Sequence, residues 1–342
     1  MMKLRYIIKR KSLTIALVNL LLIVGFFPKT VLALHIDEAF DLVTARLIAS
    51  QNSTGTWARE EYFTGSILAG LAFAYEVTSD SACINACKFG ANYCIDVAGG
   101  NFFGDEAYAL ARISEISENP FYADVVLEFY NGLNTHEYIA GFNATDLSNA
   151  VFYIAHHAVA AHKVGANDAG IWREALIYYL SLIDDDYTYY PVMSLGVATW
   201  ALAQTGPMDD TKIDFNGLGQ VIWADAKLKD LPELLSSHQV LSGEYAGSFY
   251  YRFDHTSPGP DSEASGYTED TIFGVMGLIA ANEVIVEPES EEAGWDFEQE
   301  IQNAREALTA SVSPSGFVWS HIWARTGSQV FYVYGGELLE AL

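Results

Sequence analysis

Six times along this chain an amphipathic helix-forming stretch passes through a short turn into a second stretch that is apolar almost all round. The first copy is the plainest. Ile36, Phe40, Val43 and Leu47 keep helical spacing with Asp37, Glu38 and Asp41 between them. The turn Gln51-Asn-Ser-Thr-Gly55-Thr-Trp57 follows, and then Gly65–Val77, which is apolar on nearly every side. A helix with one apolar stripe needs a neighbour on one side, whereas a helix apolar all round has to be enclosed. The other pairs are predicted as Cys83–Val97 with Ala107–Ile116, Tyr122–Leu133 with Leu147–Val164, and Ile171–Leu182 with Pro191–Gln204. Two more are Leu228–Leu241 with Thr271–Ala281 and Phe297–Val312 with Ser328–Leu342. Gly-aromatic turns recur at Gly99-Gly100-Asn101-Phe102, Gly247-Ser248-Phe249-Tyr250 and Ser315-Gly316-Phe317-Val318-Trp319. Period-two alternation is confined to Ser248–Phe253, so the class expected is all-α. Six such hairpins predict an (α/α)6 toroid, an inner ring of helices inside an outer one. An open solenoid uses similar units, but its last helix would carry a polar cap, and Ser328–Leu342 is as apolar as the inner helices.

Residues 1–33 read as a secretion signal rather than part of the fold. Lys3, Arg5, Lys9, Arg10 and Lys11 precede an apolar run from Leu13 to Phe27, and Val31-Leu32-Ala33 supplies small residues for cleavage after Ala33. A retained anchor is the rival reading, on a run of roughly 15 residues that is short for a bilayer span. The expectation is an exported protein with one toroid domain over residues 34–342. Removing the signal takes away six of 18 basic residues and none of the 44 acidic ones, so the remainder is more acidic than the net −26 of the whole chain. Such a body is repelled by phosphate backbones and anionic membranes, which excludes nucleic acid as a partner. Its acidity reads as solubility, with calcium binding by loop carboxylates as the sharper alternative. Cys83, Cys87 and Cys94 fall within about 40° of one another on a helix. They read as core packing rather than as a metal site, since no fourth ligand accompanies them.

The Gln51-x-x-x-Gly55-x-Trp57 turn, Tyr267-Thr-Glu-Asp-Thr-Ile-Phe-Gly-Val-Met-Gly-Leu278 and Gly104-Asp-Glu-Ala-Tyr-Ala-Leu110 resemble the repeat and inner-helix starts of the terpenoid cyclases and protein prenyltransferases. These families are alpha-alpha toroids. The resemblance is architectural, spans essentially all of residues 34–342, and implies the double ring. It does not extend to catalytic motifs. Ile183-Asp-Asp-Asp186 lacks the first acid of the cyclase Asp-x-Asp-Asp, and the zinc and diphosphate ligands of the prenyltransferases have no counterpart.

Parallel inner helices would gather their N-termini at one mouth, and acids stand at several of those starts. They are Glu60 and Glu61, Asp105 and Glu106, Asp146, Asp184 to Asp186, and Glu269 and Asp270. The plain explanation is capping, because carboxylates in a first turn bind exposed N–H groups and oppose the helix dipole. The chemical one is that converging carboxylates raise each other's pKa, so that one serves as acid and another as base, as glycoside hydrolysis requires. Asp105, Glu269 and Asp270 are the catalytic candidates. Trp57, Tyr62, Phe102, Tyr250, Arg252, Trp319, His321 and Trp323 are the candidate substrate-binding residues, the rings by stacking and Arg252 by holding an acidic sugar. His156, His157 and His162 could ligate a metal, but no Cys or acid partners them at fixed spacing, so no metal ligand is assigned. No cofactor motif is present. The leading expectation is an exported toroid that binds, and can cleave, a carbohydrate-like ligand at the mouth. The alternatives are a non-catalytic scaffold module and a cyclase-like enzyme on an apolar substrate. A filled centre would exclude the last.

Overall fold

What each helix touches explains why the chain makes two kinds. In this computed structural model residues 34–98, 101–142, 146–186, 188–254, 266–284, 295–324 and 328–342 are described. The predicted signal and the Gly99-Gly100 turn lie outside them. Leu34–Leu342 forms one unit. Its α-helices are α1 (Ile36–Ser50), α2 (Thr64–Thr78), α3 (Ser81–Ala98), α4 (Gly104–Ser117), α5 (Phe121–Gly132), α6 (Thr135–Ala140) and α7 (Leu147–Lys163). They continue as α8 (Ala169–Ser181), α9 (Pro191–Thr205), α10 (Leu231–Ser237), α11 (Thr268–Glu283), α12 (Glu298–Thr309) and α13 (Tyr332–Ala341). Among the described residues no strand forms, only isolated bridges such as Gln239 with Phe249.

Helices α2, α4, α7, α9, α11 and α13 each pack on the next, and α13 packs back on α2, so the inner ring is closed. Helices α1, α3, α5, α8, α10 and α12 lie outside them. The (α/α)6 toroid expected from the apolar patterning is the fold. Every residue of α9 from Pro191 to Leu202 is buried, whereas α1 buries only Ala39, Phe40, Val43, Thr44 and Leu47, one stripe. Each enclosed Leu, Ile or Val contributes about 1.5–3 kcal/mol. The ring closes where two bare backbones meet, since a Cβ on Gly70 of α2 would collide with the Gly336 carbonyl of α13.

The Gly-aromatic turns are clasps between hairpins. Gln51 Nε2 donates to the Gly55 carbonyl at 2.9 Å and to the Ala86 carbonyl of α3 at 3.0 Å. Gln239 Nε2 repeats this on the Gly247 carbonyl at 3.0 Å and the Glu300 carbonyl of α12 at 2.8 Å. Gly55 and Gly247 have φ of 95° and 91°, and each presses bare backbone on the next outer helix, where a Cβ would strike the Phe89 or Asn303 carbonyl. Two residues on, Trp57 and Phe249 are fully buried. The outer ring is closed by Arg46 of α1, which donates to the Ser315 carbonyl at 2.8 Å and lies 4.1 Å above the Phe317 ring.

Two predicted helices are shorter than expected. Leu228–Leu241 resolves into a 3₁₀ turn, Leu228–Asp230, and α10, because beyond Ser237 the chain pairs with itself, Tyr250 N to His238 O and Val240 N to Ser248 O. The last helix begins at Tyr332 rather than Ser328, since Ser320 N donates to Gln329 O and Trp319 bridges Val330. Cys83, Cys87 and Cys94 are buried free thiols on α3, with Cys87 Sγ 3.6 Å from the Leu68 carbonyl of α2.

Rings from four inner helices fill the middle of the toroid. Tyr108, His156 and Trp200 meet with centroids 5.1–5.8 Å apart, and Phe273 stands 5.7 Å from Phe152. This plug separates the two ends of the ring. Among the described residues no helix is long and apolar enough to cross a membrane.

Candidate functional site

The starts of the inner helices lie side by side, because acids on one helix bind N–H groups of the next. Ser66 of α2 donates its N–H to Asp105 Oδ2 of α4 at 3.2 Å. Glu60, just before α2, takes the Tyr332 and Val333 N–H groups of α13, both at 2.7 Å. The Met193 N–H of α9 bonds the Asp270 carboxylate of α11. The Tyr190 N–H before α9 donates to Ser148 Oγ of α7 at 3.1 Å. Capping therefore accounts for Glu60, Asp105 and Asp270, but across the ring rather than within a helix.

Three further carboxyls at this mouth are not used as clamps between helices. Glu106 takes only the Phe103 N–H of its own helix start, at 3.0 Å, and burial together with Asp105 pushes its pKa up to about 8. Glu269 is half-buried, and burial pushes it up to about 7. Glu337, buried in the middle of α13, has an Oε2 without a hydrogen bond. Burial first, then the charges of Glu269 and Asp105, raises it well above the usual carboxyl range. Of the charges acting on Glu337, that of Glu269 weighs most, so Glu337 is harder to ionise once Glu269 is charged. Among the described residues no Lys or Arg forms an ion pair with Glu60, Asp105, Glu106, Glu269, Asp270 or Glu337. Tyr190 and Tyr334 stand close enough for Glu269 to raise both their pKa values, and Tyr153 lies beside Asp105 and Glu106.

The predicted residues divide. Asp105, Glu269 and Asp270 come to one mouth, but Asp105 and Asp270 are 1% exposed, and each spends one oxygen on a neighbouring helix while Oδ1 has no partner. Trp57 is 0% exposed with its indole N–H on the Leu47 carbonyl, and Phe102 is 2% exposed against Phe129. These two rings are packed inside the protein and present no open face. Tyr62 is exposed, and Trp319 and Tyr250 are half-buried. Arg252 is engaged with the Asp185 carbonyl at 2.8 Å and the Tyr251 ring, which ties it to the loop before α9. Asp185 in turn accepts the Phe253 N–H at 2.8 Å, so this acid shapes the loop. His321 packs its ring 4.2 Å from Tyr267 at the start of α11. Trp323 is 37% exposed and donates to the Glu244 carbonyl at 3.1 Å. His156 and His157 are buried and neutral, their pKa values lowered by burial to about 4 and about 3.

Glu337 was not among the residues predicted from sequence. Its readable sign was a carboxylate in the middle of an otherwise largely apolar inner helix, Tyr332-Val-Tyr-Gly-Gly-Glu337-Leu-Leu-Glu340.

No protein-family model and no curated protein matches the chain. Solved structures do. The GH76A α-1,6-mannanase of Salegentibacter sp. HEL1_6 superposes with a TM-score of 0.56 at 15% identity, over 90% of this chain and 98% of that one. A polysaccharide lyase gives 0.55 at 14% identity, over 90% and 96%. A family 88 glycosyl hydrolase from Bacteroides vulgatus gives 0.52 at 13%, again over 90% and 96%. At such identities the likeness speaks for the fold. It upholds the toroid and not the terpenoid-cyclase resemblance, whose apolar-substrate reading also fails on the filled centre of the ring.

Proposed function

We propose that the chain is an exported enzyme that binds and hydrolyses a neutral glycan at the mouth formed by the inner-helix N-termini. The observation that carries this reading is the Glu269–Glu337 pair: two carboxyls raised by burial, the charge of Glu269 raising Glu337 further, among tyrosines and with no ion pair to Lys or Arg among the described residues. The pair has what glycoside cleavage asks for. The protonated member gives its proton to the glycosidic oxygen as the C–O bond breaks, and the ionised member takes a proton from the attacking water. Water is consumed, and the pair again holds one proton. Asp105 and Asp270 position the helix ends around it. The mannanase neighbours support this reading, since variants inactivated at two consecutive aspartates hold α-1,6-mannotriose or α-1,6-mannotetrose. Consecutive acids stand here at Asp105-Glu106 and Glu269-Asp270. Hydrolysis fits better than the elimination of a lyase, which has to neutralise a uronate carboxylate, because among the described residues no Lys or Arg pairs with these acids and their charge repels one.

The test is incubation with α-1,6-mannan, an α-glucan, a xylan and a polyuronate. New reducing ends from a neutral glycan, lost in Glu269→Gln and Glu337→Gln, are expected. Unsaturated products from the polyuronate would overturn the reading in favour of a lyase. Neither product nor binding with any of them would leave a scaffold module, the role in which the cross-ring clamps are sufficient.

A further inference from the structure

Beside the acids, between α4, α6 and α7, lies a cavity of about 540 Å³ whose walls include Phe103, Tyr138, Phe142 and Tyr153, with Asn149 at its rim and His157 in its lining. That volume is within the roughly 300–1,000 Å³ of small-molecule sites. The rings form one continuous wall. Phe142 stacks on Tyr153 at 6.3 Å, Phe103 lies 5.7 Å from Tyr153, and Tyr138 stands edge-on to Phe142 at 5.6 Å. The start of α4 is seated on this part of α7, because a Cβ on Gly104 would strike the Tyr153 carbonyl. Asp105 and Glu106 are thus close enough to raise the Tyr153 phenol.

His157 is 0% exposed, its ring stacked on Trp172 at 4.4 Å. Tyr130 Oη donates to the His157 carbonyl at 3.2 Å and meets Nδ1 at 3.0 Å. A phenol has one proton to give, so Nδ1 is the donor in the second contact and Nε2 carries a bare lone pair. Nε2 is buried and has no hydrogen-bond partner. A buried acceptor left unmade costs about 1–3 kcal/mol, so a donor belongs there.

We propose that this cavity is a second sugar position, which holds one hexopyranose ring of the glycan cleaved at the mouth. The apolar face of the ring lies on Phe142 and Tyr153, and one hydroxyl donates to His157 Nε2. This rests on the glycan reading above and extends it sideways from the acids. Stacking aromatics with a few fixed polar atoms suit a neutral sugar, which has an apolar face and hydroxyl edges.

The experiment uses the full chain carrying Glu269→Gln, so that ligand is not consumed, with α-1,6-mannotriose and methyl α-D-mannopyranoside as probes beside their glucose counterparts. Calorimetry gives the affinity, and ¹⁵N NMR follows His157 Nε2. Phe142→Ala and Asn149→Ala are made in the same background and their folding checked by circular dichroism. Expected are a shift of the Nε2 resonance on saturation and a Kd about tenfold higher for each variant. Trisaccharide binding with an unmoved Nε2 and unchanged affinity in both variants would overturn the proposal, leaving water in the cavity and the cleavage reading intact. If no probe binds and wild-type protein releases no reducing ends from any glycan, both readings fall.

Discussion

The two ends of the inner ring handle their acids in opposite ways. At the C-terminal end Glu76 and Glu340 meet Arg112, which bonds Glu340 Oε1 at 3.2 Å and Tyr108 Oη at 2.9 Å, while Lys163 holds Glu115 at 2.9 Å. At the N-terminal mouth Glu106, Glu269 and Glu337 are buried or half-buried, and among the described residues no Lys or Arg pairs with them. Helix dipoles explain part of the contrast, because N-termini tolerate carboxylates and C-termini do not. They do not explain why Glu337, halfway along α13, is left with a carboxyl oxygen unbonded. A pair that is charge-balanced serves stability, and one that is unbalanced is free to exchange a proton.

The largest expected effect separates the ends by activity. Glu269→Gln and Glu337→Gln should each lower kcat by about 10²–10⁴ while leaving glycan binding in place, and Glu340→Gln should change kcat little. Steady-state kinetics beside calorimetry check this. Equal losses at both ends would break the comparison.

Stability should run the other way. Arg112→Met strands Glu340, whose side chain is 8% exposed, and should cost about 3–5 kcal/mol in denaturant unfolding. Glu337→Gln at pH 8 should instead stabilise, by about 1–3 kcal/mol, since it removes a carboxyl that burial resists ionising.

pH sharpens the contrast further. Asp105, Glu269 and Glu106 have folded pKa values raised to about 6, about 7 and about 8. The folded state binds their protons more tightly than the unfolded chain. The stability they contribute is complete below their unfolded pKa near 4 and is lost as pH rises from about 5 to 9. The melting temperature should fall across that window, and Glu106→Gln should flatten its upper half. A melting temperature that climbs through the window would contradict the assignment.

The smallest effect is expected at the edge of the balanced end. Lys163→Ala removes a partly exposed pair with Glu115 and should change stability by less than about 1 kcal/mol.

The six buried helices were legible because enclosure demands apolar residues on every side, as in Pro191–Leu202. So was the gathering of acids at helix starts. Which acids are clamps was not, because Asp105 binds an N–H 39 positions away and Glu60 one 272 away. Trp57 and Phe102 were assigned to a ligand from their place beside turns, and both are buried, Trp57 with its indole N–H on the Leu47 carbonyl and Phe102 against Phe129. Glu337 was hidden for the opposite reason, as a polar residue amid Gly335, Gly336, Leu338 and Leu339, whose apolar pattern says core. The clasp made by Gln51 and Gln239 was visible only in its first copy, since the second spaces its glycine differently.

In the proposed mechanism Glu337 keeps its proton while Glu269 ionises, and ¹³C NMR of the glutamate carboxyls against pH measures that directly. The Glu269 carboxyl should titrate near pH 7 with Glu337 still protonated there, and Glu269→Gln should move the Glu337 midpoint down. Two independent titrations in the ordinary range, near about 4.3, would contradict it.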